Sequence, residues 1–131
     1  MSATGQRKSI YVEGFSHRNP IPAACRIGNI LESGSIQGTD PATGKYGATL
    51  DEQCVLMFAH MKRIVEAGGG TLDHVVKMTV WMRDRSNREP LNREWLRLFP
   101  DPHSRPARHA IHAPQLDGEK LIECSFVAVI E

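Results

Sequence analysis

The sequence predicts an α+β domain in which one mixed β-sheet carries two helices on a single face. Three observations predict it. Residues 49–67 repeat apolar side chains at three- and four-residue steps, the stripe of an amphipathic helix. Residues 74–83 alternate with a period of two, as a half-buried strand does. Strand-like and helix-like blocks run in the order β-ββ-α-β-α-ββ, without the regular βα repeat of a parallel fold. At 131 residues the chain is one domain's worth of protein, read here as a single domain over 1–131 with residues 1–8 expected to be flexible.

Taken in order, Arg7 to Glu13 holds the β-prone run Ile10, Tyr11 and Val12, a short first strand. Gly14 to Pro22 is a turn region, because Asn19-Pro20 and Ile21-Pro22 exclude helix. Ala23–Ile27 and Ile30–Ser33, separated by Gly28-Asn29, read as the two strands of a tight hairpin. Gly34 to Gly47 is glycine-rich and read as a loop. The first helix, Thr49 to Ala67, starts at Thr49 and Glu52, which have the spacing of a capping box, and ends at Gly68-Gly69-Gly70. In the strand His74 to Arg83, Val76, Met78, Val80 and Met82 are expected to face that helix. A second helix is expected from about Pro90 to Phe99, with Pro90 in its first turn and Pro100 just past its end. Pro106 to Ala113 and Leu121 to Ile130 are the last two strands.

The opposite face of such a sheet would carry Trp81, Leu121, Val127 and Val129, an apolar patch too large to leave to water. A second copy of the chain is the simplest cover. Lys and Arg number 16 against 15 Asp and Glu, a formal charge of +1. So even a balance offers no field for phosphate backbones or anionic lipid, and a nucleic-acid partner is disfavoured. Three well-separated cysteines, Cys25, Cys54 and Cys124, suit neither a disulfide framework nor a zinc site and point to a reducing cytoplasm. No run approaches the roughly 18 apolar residues of a membrane span, so a soluble, unprocessed protein is expected.

GxGxxG, GxxxxGK[ST], GxSxG and HExxH are all missing from the sequence. His109 and His112 are the one close histidine pair, and on a strand their odd separation points them to opposite faces, so no metal is expected. Chemistry concentrates instead in the last two strands. Arg108 and Glu123 stand among small or apolar residues and should be partly desolvated. One reading is a structural ion pair between neighbouring strands. The other makes Arg108 a receptor for a small carboxylate and Glu123 the group that holds a water or moves a proton. Pattern alone leaves both open.

An ordered set of residues resembles the Rid/YjgF/L-PSP family. It comprises Ser33-Gly34, Asp40-Pro41 with Thr43-Gly44, Glu52-Gln53, Val65-Glu66-Ala67-Gly68-Gly69, and Val75 to Val80. Leu91-Asn92, Pro106-Ala107-Arg108 and Ile122-Glu123 complete it. The resemblance implies a chorismate-mutase-like α+β domain, a homotrimer whose sheets form a barrel, and clefts between subunits. It also implies cofactor-free hydrolysis of reactive 2-imino or 2-enamino acids to 2-oxo acids and ammonia, as in RidA-like deaminases. By position, Arg108 would bind the substrate carboxylate, Glu123 would position the attacking water, and Ser33 and Asn92 would sit near the cleft.

The chain departs from that pattern at several places. Ile21, within Asn19-Pro20-Ile21-Pro22, stands where family deaminases usually carry a tyrosine, and Ala110 where a cysteine is common. Ser33-Gly34-Ser35 replaces the Ser-Gly-Gln triplet, and the stretch from Gly28-Asn29 to Ser33-Gly34 is one residue short. His17, His109 and Ser35 are the polar groups available to replace the lost hydroxyl. Two alternatives to the deaminase accompany these departures: a non-catalytic trimer that binds or senses small carboxylates, and, less favoured, an endoribonuclease of the L-PSP type.

Overall fold

A computed structural model describes residues 6–131. The expectation for residues 1–8 falls mostly outside the described residues, and Lys8 already pairs with Arg26. Seven strands form one sheet: β1 (Lys8–Ile10), β2 (Ala24–Ile27), β3 (Ile30–Ser33), β4 (Ile36–Gln37), β5 (Val75–Met82), β6 (Ala107–His112) and β7 (Ile122–Val129). Two helices, α1 (Leu50–Ala67) and α2 (Glu89–Leu98), complete the architecture. The strand order is β1-β2-β3-β7-β5-β6, with β4 also paired to β7. Every pairing is antiparallel except β5 with β6, which α2 connects as a crossover.

The hairpin β2-β3 turns at Gly28, whose φ of +55° is the left-handed value that the first position of a type II′ turn demands. α1 begins where its cap was expected, the Glu52 amide donating to Thr49 Oγ1 at 3.2 Å. The reciprocal half of the box is displaced by one residue, because Glu52 Oε2 accepts from the Ala48 amide instead. Gly69, at φ +99°, makes the left-handed stop. A single 3-10 turn at Leu72–His74 then leads into β5.

The core lies between α1 and the sheet. Met57, Phe58, Met61 and Ile64 meet Leu31, Ile36, Met78, Val80 and Phe126, all essentially without solvent contact. Burial of each such side chain contributes about 1.5–3 kcal/mol. Val76 does not join them: a register shift between Val75 and Lys77 is a β-bulge that turns Val76 outward and puts Val75 inside. The opposite sheet face is uncovered in the single chain, and Trp81, Leu121, Val127 and Val129 are half-buried there.

Two corrections concern the approach to the candidate site. The first strand is shorter than expected, and Val12 pairs instead with Phe15 in an isolated bridge. The loop 34–47 contains β4, in which Ile36 faces Cys124 and Gln37 faces Glu123. Gln53, buried on α1, holds this region in place. Its Nε2 donates to the Gly47 and Glu119 carbonyls, both at 2.9 Å, and its Oε1 accepts from the Leu121 amide. Every polar group of that buried amide is satisfied, so the loop after β4 and the loop before β7 are tied to one helix.

Candidate active site

Register decides how the two candidate charges are arranged. Arg108 pairs with Met78, which pairs with Phe126, so all three point to the helix-bearing face. Glu123 pairs with Trp81 and with Gln37 and points to the other face. β5 separates their strands, so the ion-pair reading fails: the two side chains lie on opposite sides of the sheet and no salt bridge joins them.

The first half-site is Arg108 on the edge strand β6, under α2. Its Nη2 donates to Asn92 Oδ1 at 2.8 Å, and its guanidinium carbon lies 4.9 Å from the centroid of the Trp95 ring. Asn92 and Trp95 are three residues apart on α2, so one helical face supplies both contacts. Nη1 is shut off from solvent and has no hydrogen-bond partner. Burial, with help from the nearby charge of Arg88, pulls the guanidinium below its ordinary pKa. The fork is planar, has one unpaired donor and a positive neighbour, and no carboxylate of the chain lies against it, features that suit a guanidinium to an anion. Ala110 stands two residues further along the same face.

The second candidate region is a cleft reached from Glu123 through its cross-strand partner Gln37; Glu123 itself is not part of the lining. A cleft of about 570 Å³ is lined by His17, Ser35, Gln37, Thr39, Tyr46 and Lys120, with Ile21 at its wall. Gln37 is the direct cross-strand neighbour of Glu123, and the Glu123 charge is felt by His17, Tyr46 and Lys120. Burial pulls the His17 imidazole below its ordinary value, against the opposing pull of Glu123. Burial likewise pushes the Tyr46 phenol up. Lys120 is held charged by Asp117 at 3.2 Å despite its partial burial.

Ser33 spends its hydroxyl inside the protein. Oγ donates to the Gly34 carbonyl at 2.8 Å and accepts from the Phe126 amide at 2.9 Å, bridging β3 to β7. Ser35, not Ser33, lines the cleft. Of the three polar groups named as substitutes for a lost tyrosine, the structure gathers His17 and Ser35 in the cleft beside Glu123 and leaves His109 exposed on β6. Tyr46 and Lys120 were missed by the sequence reading, since they lie in loops whose spacing carries no period. Among the described residues no three His, Cys, Asp or Glu side chains cluster as metal ligands would, and no helix is long and apolar enough to cross a membrane.

Comparison with known proteins agrees with this architecture. The family model described as Endoribonuclease L-PSP matches residues 14–130. A RutC family protein of Pyrococcus abyssi is 30% identical over 113 residues, covering 86% of this chain and 87% of that one. The 2-iminobutanoate/2-iminopropanoate deaminase of Escherichia coli K12 is 30% identical over 105 residues, covering 79% and 81% respectively. The crystal structure of RidA from an Antarctic Psychrobacter superposes with a TM-score of 0.87 at 27% identity, covering 94% of this chain and 99% of that one. With the family model spanning nearly the whole described sheet and both helices, the chain belongs to the Endoribonuclease L-PSP family, the Rid/YjgF/L-PSP group that its residues resemble.

Proposed function

We propose that the protein is a deaminase that hydrolyses reactive 2-imino and 2-enamino acids to 2-oxo acids and ammonia, working as a homotrimer with its sites between copies. The observation that carries the reading is Arg108, a half-buried guanidinium with an unpaired donor and no carboxylate of its own chain against it. A small carboxylate completes its coordination. Held there, the acid presents its imine carbon to a water oriented by Glu123. The water oxygen bonds to the carbon of the protonated imine, the C=N pair moves to nitrogen, and Glu123 accepts a proton from the water. Glu123 then returns that proton to the amino nitrogen, and as the C–N bond breaks to release ammonia the hydroxyl oxygen forms the C=O of the 2-oxo acid and gives up its proton to Glu123 or solvent. Clamping and orientation supply much of such a barrier, because the protonated imine is already electrophilic.

Opposite faces of one sheet cannot serve one small molecule, so the reading takes Arg108 from one copy and Glu123 from another. The uncovered apolar face around Trp81 and Val127 supports that assembly. The family's deaminase-named member in Escherichia coli supports the reaction class. A formal charge of +1 gives the ribonuclease reading no support. Ile21 at the cleft wall, in place of a tyrosine hydroxyl, is the observation that favours a binder without turnover.

The test generates 2-imino acids with an amino-acid oxidase and follows 2-oxo acid release with and without the protein. Acceleration over buffer that disappears in Arg108→Ala is expected. Thermal stabilisation by 2-oxo acids without any acceleration would replace the enzyme with the binder.

A further inference from the structure

The cleft beside Glu123 is built unlike a receptacle for an alkyl group. Its polar members come from three separate segments: His17 from the first turn region, Ser35, Gln37, Thr39 and Tyr46 from the stretch around β4, and Lys120 from the loop before β7. Apolar lining is confined to Phe15, Ile21 and prolyl and glycyl positions.

Much of this polar lining is held in place by the protein's own bonds, leaving hydrogen-bonding capacity directed elsewhere. Gln37 Nε2 donates to Ser35 Oγ at 3.2 Å, and that is the hydrogen bond found for this side chain. Its Oε1 is an unused acceptor and Ser35 retains its hydroxyl proton. The His17 ring is wedged edge-on to Phe15, centroids 5.3 Å apart, and its Nε2 has no hydrogen-bond partner although solvent is excluded from it. A buried polar atom left unpaired is destabilising, and a native fold tolerates it where a ligand or a small ring movement relieves it. The segment carrying Thr39 is itself fixed, since the buried His60 on α1 donates Nε2–H to the Thr39 carbonyl at 2.6 Å. The cleft is therefore preorganised on its α1 side.

We infer that this cleft is the subsite for the side chain of the 2-imino acid, and that it selects side chains with hydrogen-bonding groups over alkyl chains of the same shape. The inference rests on the proposed reaction for its substrate class, with the acid's carboxylate on Arg108 and its imine carbon at Glu123. From that carbon the side chain leads into the cleft, because Gln37 lies directly across from Glu123 on the paired strand. Gln37, the cross-strand partner of Glu123, and Ser35, bonded to it, offer an acceptor and a donor, and Tyr46 and Lys120 line the same cleft. Arg18 and Lys120 are the charged lining residues, Arg63 lies beside Gly14, and Asp117, Glu119 and Glu123 act on Tyr46, so three cations face three carboxylates, with Lys120 and Asp117 paired. A neutral polar side chain such as a carboxamide fits this balance.

The probes are two pairs of equal shape. The imines generated from asparagine and from leucine by a broad-specificity oxidase test turnover, and the stable 2-oxo acids of the same two side chains test binding by calorimetry. For the intact protein we expect the carboxamide member to be preferred by about tenfold or more in kcat/KM and in Kd, as sites that hydrogen-bond a substrate reject analogues lacking the group. Gln37→Leu and, independently, His17→Phe should collapse the preference toward unity, with thermal unfolding checking that each variant folds. Equal handling of both members, or preference for the leucine-derived one, overturns the subsite while leaving the deaminase reading intact. If neither imine is turned over, the deaminase reading falls, and the binding pair still decides the cleft. Failure of both 2-oxo acids to bind overturns the subsite as well.

Discussion

Replacing Arg108 by methionine should separate function from stability, because the features that suit the guanidinium to the proposed receptor role give it little structural value. The clamp on a substrate carboxylate amounts to two charge-assisted hydrogen bonds at about 1.5–3 kcal/mol each. Losing them removes at least about 3 kcal/mol of transition-state binding, which at about 1.4 kcal/mol per decade is on the order of 10²-fold in kcat/KM. On the folding side, Arg108→Met gives up the bond to Asn92 Oδ1 and the stacking on Trp95. It also removes the solvent-excluded, unpaired Nη1, recovering about 1–3 kcal/mol, and it keeps an aliphatic stem against the ring. Asn92 is exposed and water replaces its lost partner. The net change is about 1 kcal/mol, a few degrees in Tm for a chain of this size. Steady-state turnover of a 2-imino acid and a calorimetric melt on the same preparations decide the matter. A Tm loss of about 10 °C or more would mean that Arg108 holds the fold together. Unchanged kcat/KM would remove it from the site.

Four other outcomes are expected. Under the proposed mechanism Glu123→Gln should lower kcat by about 10²–10⁴ with KM little changed, since it keeps shape and loses the proposed base; single-turnover kinetics read this directly. Gly38→Ala would drive a Cβ into the Gln53 carbonyl and backbone of α1, costing about 3 kcal/mol or more by urea denaturation. Stability should fall as pH drops from about 6.5, because buried His60 has its pKa lowered, chiefly by desolvation, so the unfolded chain takes up its proton first. Its Nδ1 faces an Arg63 donor and has no acceptor for that proton; His60→Gln should flatten the melt-versus-pH curve between about pH 7 and 5.5. Burial pushes the Cys54 thiol up to about 12 and raises Cys124 further, so alkylation of the native protein near neutral pH should label Cys25 alone, as mass spectrometry of the peptides would show.

What the sequence made legible was local. The hairpin turn at Gly28, the cap at Thr49 and both helices follow from neighbours within a few residues, and each lies where those neighbours place it. Val76 broke the alternation because a bulge adds one residue to a strand without changing residue types. β4 escaped notice because two residues cannot display a period, although Ile36, an isolated apolar residue in a glycine-rich stretch, is fully buried. The cleft was invisible for a related reason: His17, Tyr46 and Lys120 are brought together by long-range pairing of loops whose spacing encodes nothing.

The placement of the two charges is a sharper case, because half of it was available in advance. Alternation assigns Arg108 and His109 to opposite faces of β6 wherever that strand lies. It likewise separates Glu123 from Phe126 on β7, since their spacing is odd. What alternation cannot supply is the strand order, and reading β6 and β7 as neighbours made an Arg108–Glu123 ion pair look natural. With β5 between them, Arg108 follows Met78 and Phe126 to the helix side while Glu123 follows Trp81 to the other. Removing the internal partner leaves a desolvated cation with an unfilled donor on one face and a carboxylate beside a polar cleft on the other. That separation is the physical reason for drawing the two halves of the proposed site from different copies of the chain.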